Sequence, residues 1–186
     1  MTNHLLSLPP DLPVPEDDGA CDLFPGRTIP PLTLPSSQGS VDLAAFAAGV
    51  GVLYVYPRTG RPDRPVPEGW DAIPGARGCT PQSCAFRDHA AELEELGARV
   101  AGLSAQPLVE QEEAATRLAL PYPVIADPDL RLKGALGLPT FVFEGAELYR
   151  RVTLVFERGD VGHVLYPVFP PDRNAADVVA WLRERR

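Results

Sequence analysis

The order of hydrophobic periodicities along this chain predicts an α/β fold in which a mixed central β-sheet is flanked by helices. Between residues 50 and 136, strand-like and helix-like segments alternate in a βαβα rhythm, the pattern of parallel strands joined by helical crossovers. From residue 140 to residue 168 the pattern changes to strands joined by short turns, which makes the sheet mixed. A length of 186 residues with 45% hydrophobic content suits one such domain with a short extension.

Residues 1–25 are rich in proline and acidic side chains and keep no period, so they form an extended N-terminal arm, either laid on the domain or left mobile. The domain proper is read as residues 26–186. Pro30-Pro31-Leu32-Thr33-Leu34 suggests a short edge strand, residues 36–39 a turn, and residues 41–48 a short helix or turn. Residues 50–56 form a near-continuous apolar run that reads as a buried strand. Gly60, Pro62, Pro65, Pro67, Gly69, Pro74 and Gly75 mark residues 57–78 as a long inserted loop, with Trp70 as its one large aromatic side chain. A loop of that length ending at a cysteine reads as a folded flap over a reactive site.

Thr80 and Pro81 open a helix whose apolar stripe is Phe86, Ala90, Leu93 and Leu96, and which Gly97 ends. Beyond it come a strand at 99–104, a helix at 108–119, a strand at 124–126 and a helical stretch at 128–136. Strands at 140–143, 147–156 and 161–168 follow, with turns at Glu144-Gly145 and Arg158-Gly159-Asp160, and a last helix spans 173–184.

Composition narrows the function. Acidic residues outnumber basic ones 25 to 17, a net charge of −8 with no long basic run, which gives no support for binding nucleic acid through its phosphates. No apolar stretch reaches the ~18 residues of a membrane span. Residues 1–20 lack a basic start and an uninterrupted apolar segment, and Pro9, Pro10, Pro13 and Pro15 break any helix there, so the chain is read as unprocessed and cytoplasmic. Three cysteines, an odd number in a chain this long, fit a reducing compartment better than a disulfide-stapled scaffold.

Two of those cysteines bracket Gly78-Cys79-Thr80-Pro81-Gln82-Ser83-Cys84, directly after the loop and at the start of a helix. Helix N-termini stabilise thiolates through unpaired backbone N–H groups and the positive end of the dipole, so the placement points to thiol redox chemistry at Cys79. Positions five apart differ by about 140° around an α-helix and about 7.5 Å along it. A disulfide wants its Cα atoms within about 7 Å, so pairing Cys79 with Cys84 requires the first helical turn to unwind. Either the two pair and couple oxidation to a conformational change, or Cys84 is an inert buried neighbour. A zinc site fits poorly, because Cys79, Cys84 and His89 fan around one helix and neither His4 nor His163 stands at a ligand spacing from them. His89 reads as a solvated or capping residue.

Tyr54-Val55-Tyr56-Pro57, the Gly78–Cys84 segment with Arg87-Asp88, and Arg151-Val152-Thr153-Leu154-Val155-Phe156 together resemble the peroxiredoxins, specifically their bacterioferritin-comigratory or Q-type branch, over about residues 26–185. The resemblance implies a thioredoxin-like fold and a thiol-dependent peroxidase that reduces hydrogen peroxide or organic hydroperoxides. It makes Cys79 the peroxidatic nucleophile, which becomes a sulfenic acid, and Cys84 the resolving thiol of an intramolecular disulfide. A thioredoxin-like dithiol protein then restores the pair, with no metal or organic cofactor needed. The strand opening at Arg151 resembles the one that delivers an arginine to the peroxidatic cysteine in this family. A guanidinium stays charged, stabilises a nearby thiolate and can hydrogen-bond peroxide oxygens. Arg150 would face the other side of that strand, so at most one of the two points at Cys79.

The family loop Pro-x-x-x-Thr/Ser-x-x-Cys is altered here, since Ala76 stands three positions before Cys79 and Ala72 seven before. Thr59, Thr80 or a backbone group is left to supply the missing hydroxyl's hydrogen bond. Leu138-Pro139 precedes a strand, where a cis-proline marks many thioredoxin-like sites; it is either that or a loop proline. Cys21 reads as a free thiol in the arm, with a second resolving thiol as the alternative. Beside the peroxidase stand two other readings: a thiol–disulfide oxidoreductase acting on proteins, and a redox-sensing module without turnover. The assembly is read as a monomer or homodimer.

Overall fold

The computed structural model describes residues 5–185; residues 1–4 and 186 lie outside it, and with them His4 and the first positions of the arm. The centre of the fold is β3 (Val50–Val55), which pairs in parallel with β4 (Ala98–Ser104) on one side and antiparallel with β8 (Val152–Glu157) on the other. Strand β5 (Val124–Ala126) extends the parallel side, and the hairpin of β1 (Thr33–Ser36) and β2 (Gly39–Asp42) closes that edge. Strand β9 (Asp160–Leu165) closes the other, giving a seven-stranded mixed sheet in the order β2-β1-β5-β4-β3-β8-β9.

Side chains alternate across β3 as a pleated strand requires. Leu53 and Val55 pack with Leu103, Leu154, Leu43, Phe46 and Leu132 on one face. Val52 and Tyr54 face the layer that holds Phe86, Leu93, Val178 and Leu182. Burial on both faces is why residues 50–56 read as an unbroken apolar run. The second layer comprises α2 (Cys79–Asp88), α3 (Ala90–Glu95) and α6 (Asn174–Glu184), which packs against α2. The first includes α1 (Leu43–Ala47), capped by the Asp42 carboxylate, and α5 (Arg131–Leu136), whose first N–H groups at Arg131 and Leu132 bond the buried Asp127 carboxylate at 2.9 Å each. Helix α4 (Leu108–Arg117) crosses from β4 to β5.

Four local readings are corrected by the structure. The helix running to Gly97 is two helices, because the chain leaves helical geometry at His89 (φ −97°, ψ 4°), whose ring binds Glu92 in the first turn of α3 at 2.8 Å. Residues 39–42 form strand β2, since Gly39 at φ +92° reverses the chain tightly enough for Val41 to pair with Leu34. The stretch 147–156 is two strands: β7 (Ala146–Tyr149) pairs with β6 (Thr140–Phe143) in a separate hairpin, and the chain breaks at Arg150 and Arg151 before β8. The last strand stops at Leu165, ahead of Pro167, which has no N–H for a ladder. Leu138–Pro139 is a trans bond; the cis bonds are Tyr166–Pro167 and Phe169–Pro170.

Residues 5–25 lie against the domain. Cys21 and Phe24 are part of the core, Leu5 is buried, and Asp18 bonds both Arg150 (2.8 Å) and the Tyr166 hydroxyl (2.9 Å).

Candidate active site

Helix α2 begins at Gly78, whose φ of +100° is open to glycine and strained for other residues. A Cβ there would also stand 2.3 Å from Pro171 Cγ and 2.8 Å from a Leu8 methyl, so the turn admits no side chain. The tight start points the first helical residue, Cys79, inward, where it is 3% exposed. Its thiol reaches the Ala76 carbonyl at 3.6 Å, and Arg151 Nη2 lies 3.2 Å from the sulfur.

Arg151, also 3% exposed, is fixed from several directions. It donates to the carbonyls of Gly75 (3.2 Å), Ala76 (3.2 Å) and Arg77 (3.0 Å) and to Gln82 Oε1. Gln82 is fully buried and passes the chain on to Asn174 Oδ1 at 2.9 Å, which also accepts from Thr153 at 2.7 Å. Among the described residues Arg151 makes no ion pair with a carboxylate. Carbonyls and an amide are neutral, so among the described residues the sulfur is the only partner of this buried guanidinium that can carry a negative charge.

The loop at 57–78 makes that arrangement possible. Trp70 packs edge-on to Phe143 at 5.0 Å and near Phe141 at 6.1 Å, and the Arg58 guanidinium lies over its ring at 4.5 Å. With Ala76 and Leu148 it forms a small core between the loop and the β6–β7 hairpin. The anchored loop then presents three successive carbonyls, from Gly75 to Arg77, to Arg151.

Cys84 lies in the second turn of α2 and is half-buried. Burial pushes its thiol up, opposed mainly by the Arg87 charge. Both cysteines are unbonded and α2 is intact, so the sulfurs face different sides of one helix. Cys21 is also unbonded, and burial pushes its thiol up to about 12. His89 points to Glu92, at 2.8 Å. Among the described residues no three His, Cys, Asp or Glu side chains gather as a metal site.

Of the groups available to replace the absent hydroxyl, Thr59 is occupied, donating to Gln106 Oε1 at 3.2 Å, while the Ala76 carbonyl bonds the thiol itself. Two hollows flank the pair. One, of about 50 Å³, is lined by Cys79, Thr80, Arg58, Trp70 and Leu5; the other, of about 350 Å³, by Arg151, Arg150, Phe141, Tyr166, Val14 and Pro15. Gln82 and Asn174 were not singled out in the sequence. The available signal for Gln82 was its place three residues after Cys79, on the same face of the helix.

The redoxin family profile matches residues 24–180, most of the chain and all of this site. The chain belongs to the redoxin family. Within the redoxins it is similar to peroxiredoxin Q of Sedum lineare chloroplasts, with 27% identity over 176 residues, covering 94% of this chain and 86% of the relative. The solved structure of the peroxidoxin BcpB from Mycobacterium tuberculosis superposes with a TM-score of 0.70 at 26% identity, over 88% of this chain and 98% of that one. Peroxiredoxin Q from Xanthomonas campestris shares the fold, at a TM-score of 0.64 and 22% identity, over 94% and 98% of the two chains. This redoxin is a peroxiredoxin of the Q type, a thiol-dependent peroxidase with the thioredoxin-like α/β fold, for which peroxide is the substrate and a thioredoxin-like dithiol the reductant. No helix among its described residues is long and apolar enough to cross a membrane.

Proposed function

We propose that Cys79 is the peroxidatic nucleophile of this peroxidase, Cys84 its resolving thiol, and Arg151 the group that holds the thiolate and the departing oxygen. The observation that carries the reading is the 3.2 Å approach of a buried guanidinium to a sulfur that, among the described residues, is its only partner able to become an anion. In the first step the Cys79 thiolate attacks one oxygen of hydrogen peroxide or an organic hydroperoxide. An S–O bond forms as the O–O bond breaks, the sulfur is oxidised to sulfenic acid, and the other oxygen leaves as water or alcohol after taking a proton. Arg151 donates to that oxygen as charge builds on it.

In the second step the Cys84 sulfur displaces the sulfenic oxygen as water, forming a Cys79–Cys84 disulfide that an external dithiol reduces by exchange. Because α2 is intact when both thiols are free, this step requires its first turns to open. An odd count of three cysteines suits a reducing compartment, the cytoplasm in this reading, where the enzyme acts as a monomer or homodimer.

Peptide mapping of peroxide-treated protein under non-reducing conditions, with Cys79→Ser and Cys84→Ser alongside, tests the assignment. A Cys79–Cys84 bond is expected in the wild type, no turnover in the first variant, and a lasting sulfenic acid in the second. Sustained turnover of Cys84→Ser with thioredoxin would overturn the resolving role.

A further inference from the structure

Between Cys79 and Cys84 the helix is tied at Ser83 from two directions, next to the Gln82 bonds to Arg151 and Asn174. Ser83, fully buried, receives the Tyr122 hydroxyl on its backbone carbonyl at 2.8 Å, and its own side-chain oxygen lies 3.1 Å from the Tyr54 hydroxyl. The two tyrosine hydroxyls lie 3.2 Å from each other, so the pair is joined on the side that faces Ser83. Tyr54 comes from the central strand, and Tyr122 from the segment just before β5. Neither site is on α2, so the cluster fastens the helix to the sheet.

Burial pushes the Tyr54 phenol up to about 12 and Tyr122 further in the same direction, so both remain protonated donors at neutral pH. The Tyr54 ring also stacks on Phe86 of α2, with centroids 4.5 Å apart and planes 10° from parallel. Beyond Cys84, the next tie is Arg87, which donates to the Leu118 carbonyl at 2.9 Å.

We infer that the Tyr54–Tyr122 hydroxyl pair is a latch on Ser83 that sets the rate at which Cys84 is released to meet the oxidised Cys79. This rests on the assignment of Cys84 as resolving thiol. Ser83 immediately precedes Cys84, so Cys84 cannot travel toward Cys79 while both the carbonyl and the side chain of Ser83 are held. The tyrosine hydroxyls bond Ser83 and each other rather than either sulfur, so the two act as positioning residues. The latch lengthens the life of the sulfenic acid, and with it the time in which a second peroxide can carry Cys79 on to sulfinic acid.

Tyr122→Phe and Tyr54→Phe test the latch, because each keeps the ring and the Tyr54 stack on Phe86 and removes only the hydroxyl. Tyr56→Phe is the control: Tyr56 is equally buried, but its hydroxyl bonds Gln111 at 2.7 Å, away from α2. Rapid-quench thiol trapping after one equivalent of hydrogen peroxide separates loss of the Cys79 thiol from formation of the disulfide. One hydrogen bond of ordinary net strength corresponds to roughly a three- to tenfold faster disulfide step in Tyr122→Phe, with the peroxide step unchanged and the Tyr56 control like wild type.

The variant also yields less sulfinic acid at high peroxide, and its amides at residues 83–86 exchange faster in the reduced protein. Such partitioning does not follow from a general loss of stability, which the control would share. If the Tyr54→Phe/Tyr122→Phe double variant forms the disulfide at the wild-type rate, the latch is wrong while the resolving assignment stands. If wild type forms no Cys79–Cys84 bond at all, both fall.

Discussion

Arg151 Nη2 lies 3.2 Å from Cys79 Sγ, although the two residues are 72 positions apart in the chain. The contact joins the break between β7 and β8 to the first turn of α2, and the three carbonyls of the 57–78 loop hold it there.

Replacing Arg151 by lysine keeps a charge but loses the planar fork that serves the sulfur, Gln82 and the loop carbonyls together. The expected result is a loss of about 10²–10³ in the second-order rate with peroxide, the range for removing one preorganised transition-state donor. Stopped-flow measurement of the first oxidation reads it, and a variant within a few-fold of wild type would remove Arg151 from the mechanism.

Gln82→Leu leaves a guanidinium nitrogen without its acceptor in a dry site, where an unpaired polar group costs about 1–3 kcal/mol. Chemical denaturation should show that loss. Gln82→Glu has a different outcome, since a carboxylate there competes with the thiolate for Arg151. The peroxide rate should fall at neutral pH and recover as pH rises, which a rate profile against pH would display.

Trp70→Ala removes the aromatic anchor of the loop, at a cost of about 3 kcal/mol for a large buried ring. Limited proteolysis should then cut within residues 57–78, and the peroxide rate should fall with the loss of the carbonyls that hold Arg151. Unchanged protease resistance would mean that the loop is held by other contacts.

His163 gives the fold a pH dependence. Its ring stacks on Trp181 at 4.6 Å, and burial, with a smaller contribution from the Arg185 charge, holds it below the usual 6.5. Arg185 is itself paired with Glu157 at 3.0 Å. With the folded pKa lowered, the unfolded chain takes up the proton first as pH falls, so this contribution to stability is complete above about 6.5 and is lost from there down to the folded value. Thermal melts between about pH 7.5 and pH 5 should show the decline, reduced in His163→Phe. A melt profile identical in the two proteins would exclude His163 as its source.

Much of this architecture was legible because it is local. The run from Val50 to Tyr56, the helix start at Cys79 and the turn at Gly159 carry their signals within a few residues. The break at Arg150 and Arg151 was not, because Leu148, Tyr149, Val152 and Leu154 are all buried and the apolar pattern runs through it. What interrupts the strand is the demand of Arg151 for partners on a distant loop. Gln82 escaped notice for the same reason: its meaning comes from Arg151 and Asn174, at separations of 69 and 92 residues. The tyrosine hydroxyls were hidden in a different way: Tyr54 sits in an apolar strand whose character already accounts for its burial, and Tyr122 in a short proline-flanked connection before β5.

Arm residues wall both hollows beside Cys79 and Arg151: Leu5 lines the smaller, Val14 and Pro15 the larger, and a Leu8 methyl packs on the glycine that starts α2. Removing residues 5–15 therefore rebuilds the enclosure around Cys79 and Arg151. Rate constants from such preparations describe an altered vestibule, and comparison with protein that keeps residues 5–15 tells how far the two diverge.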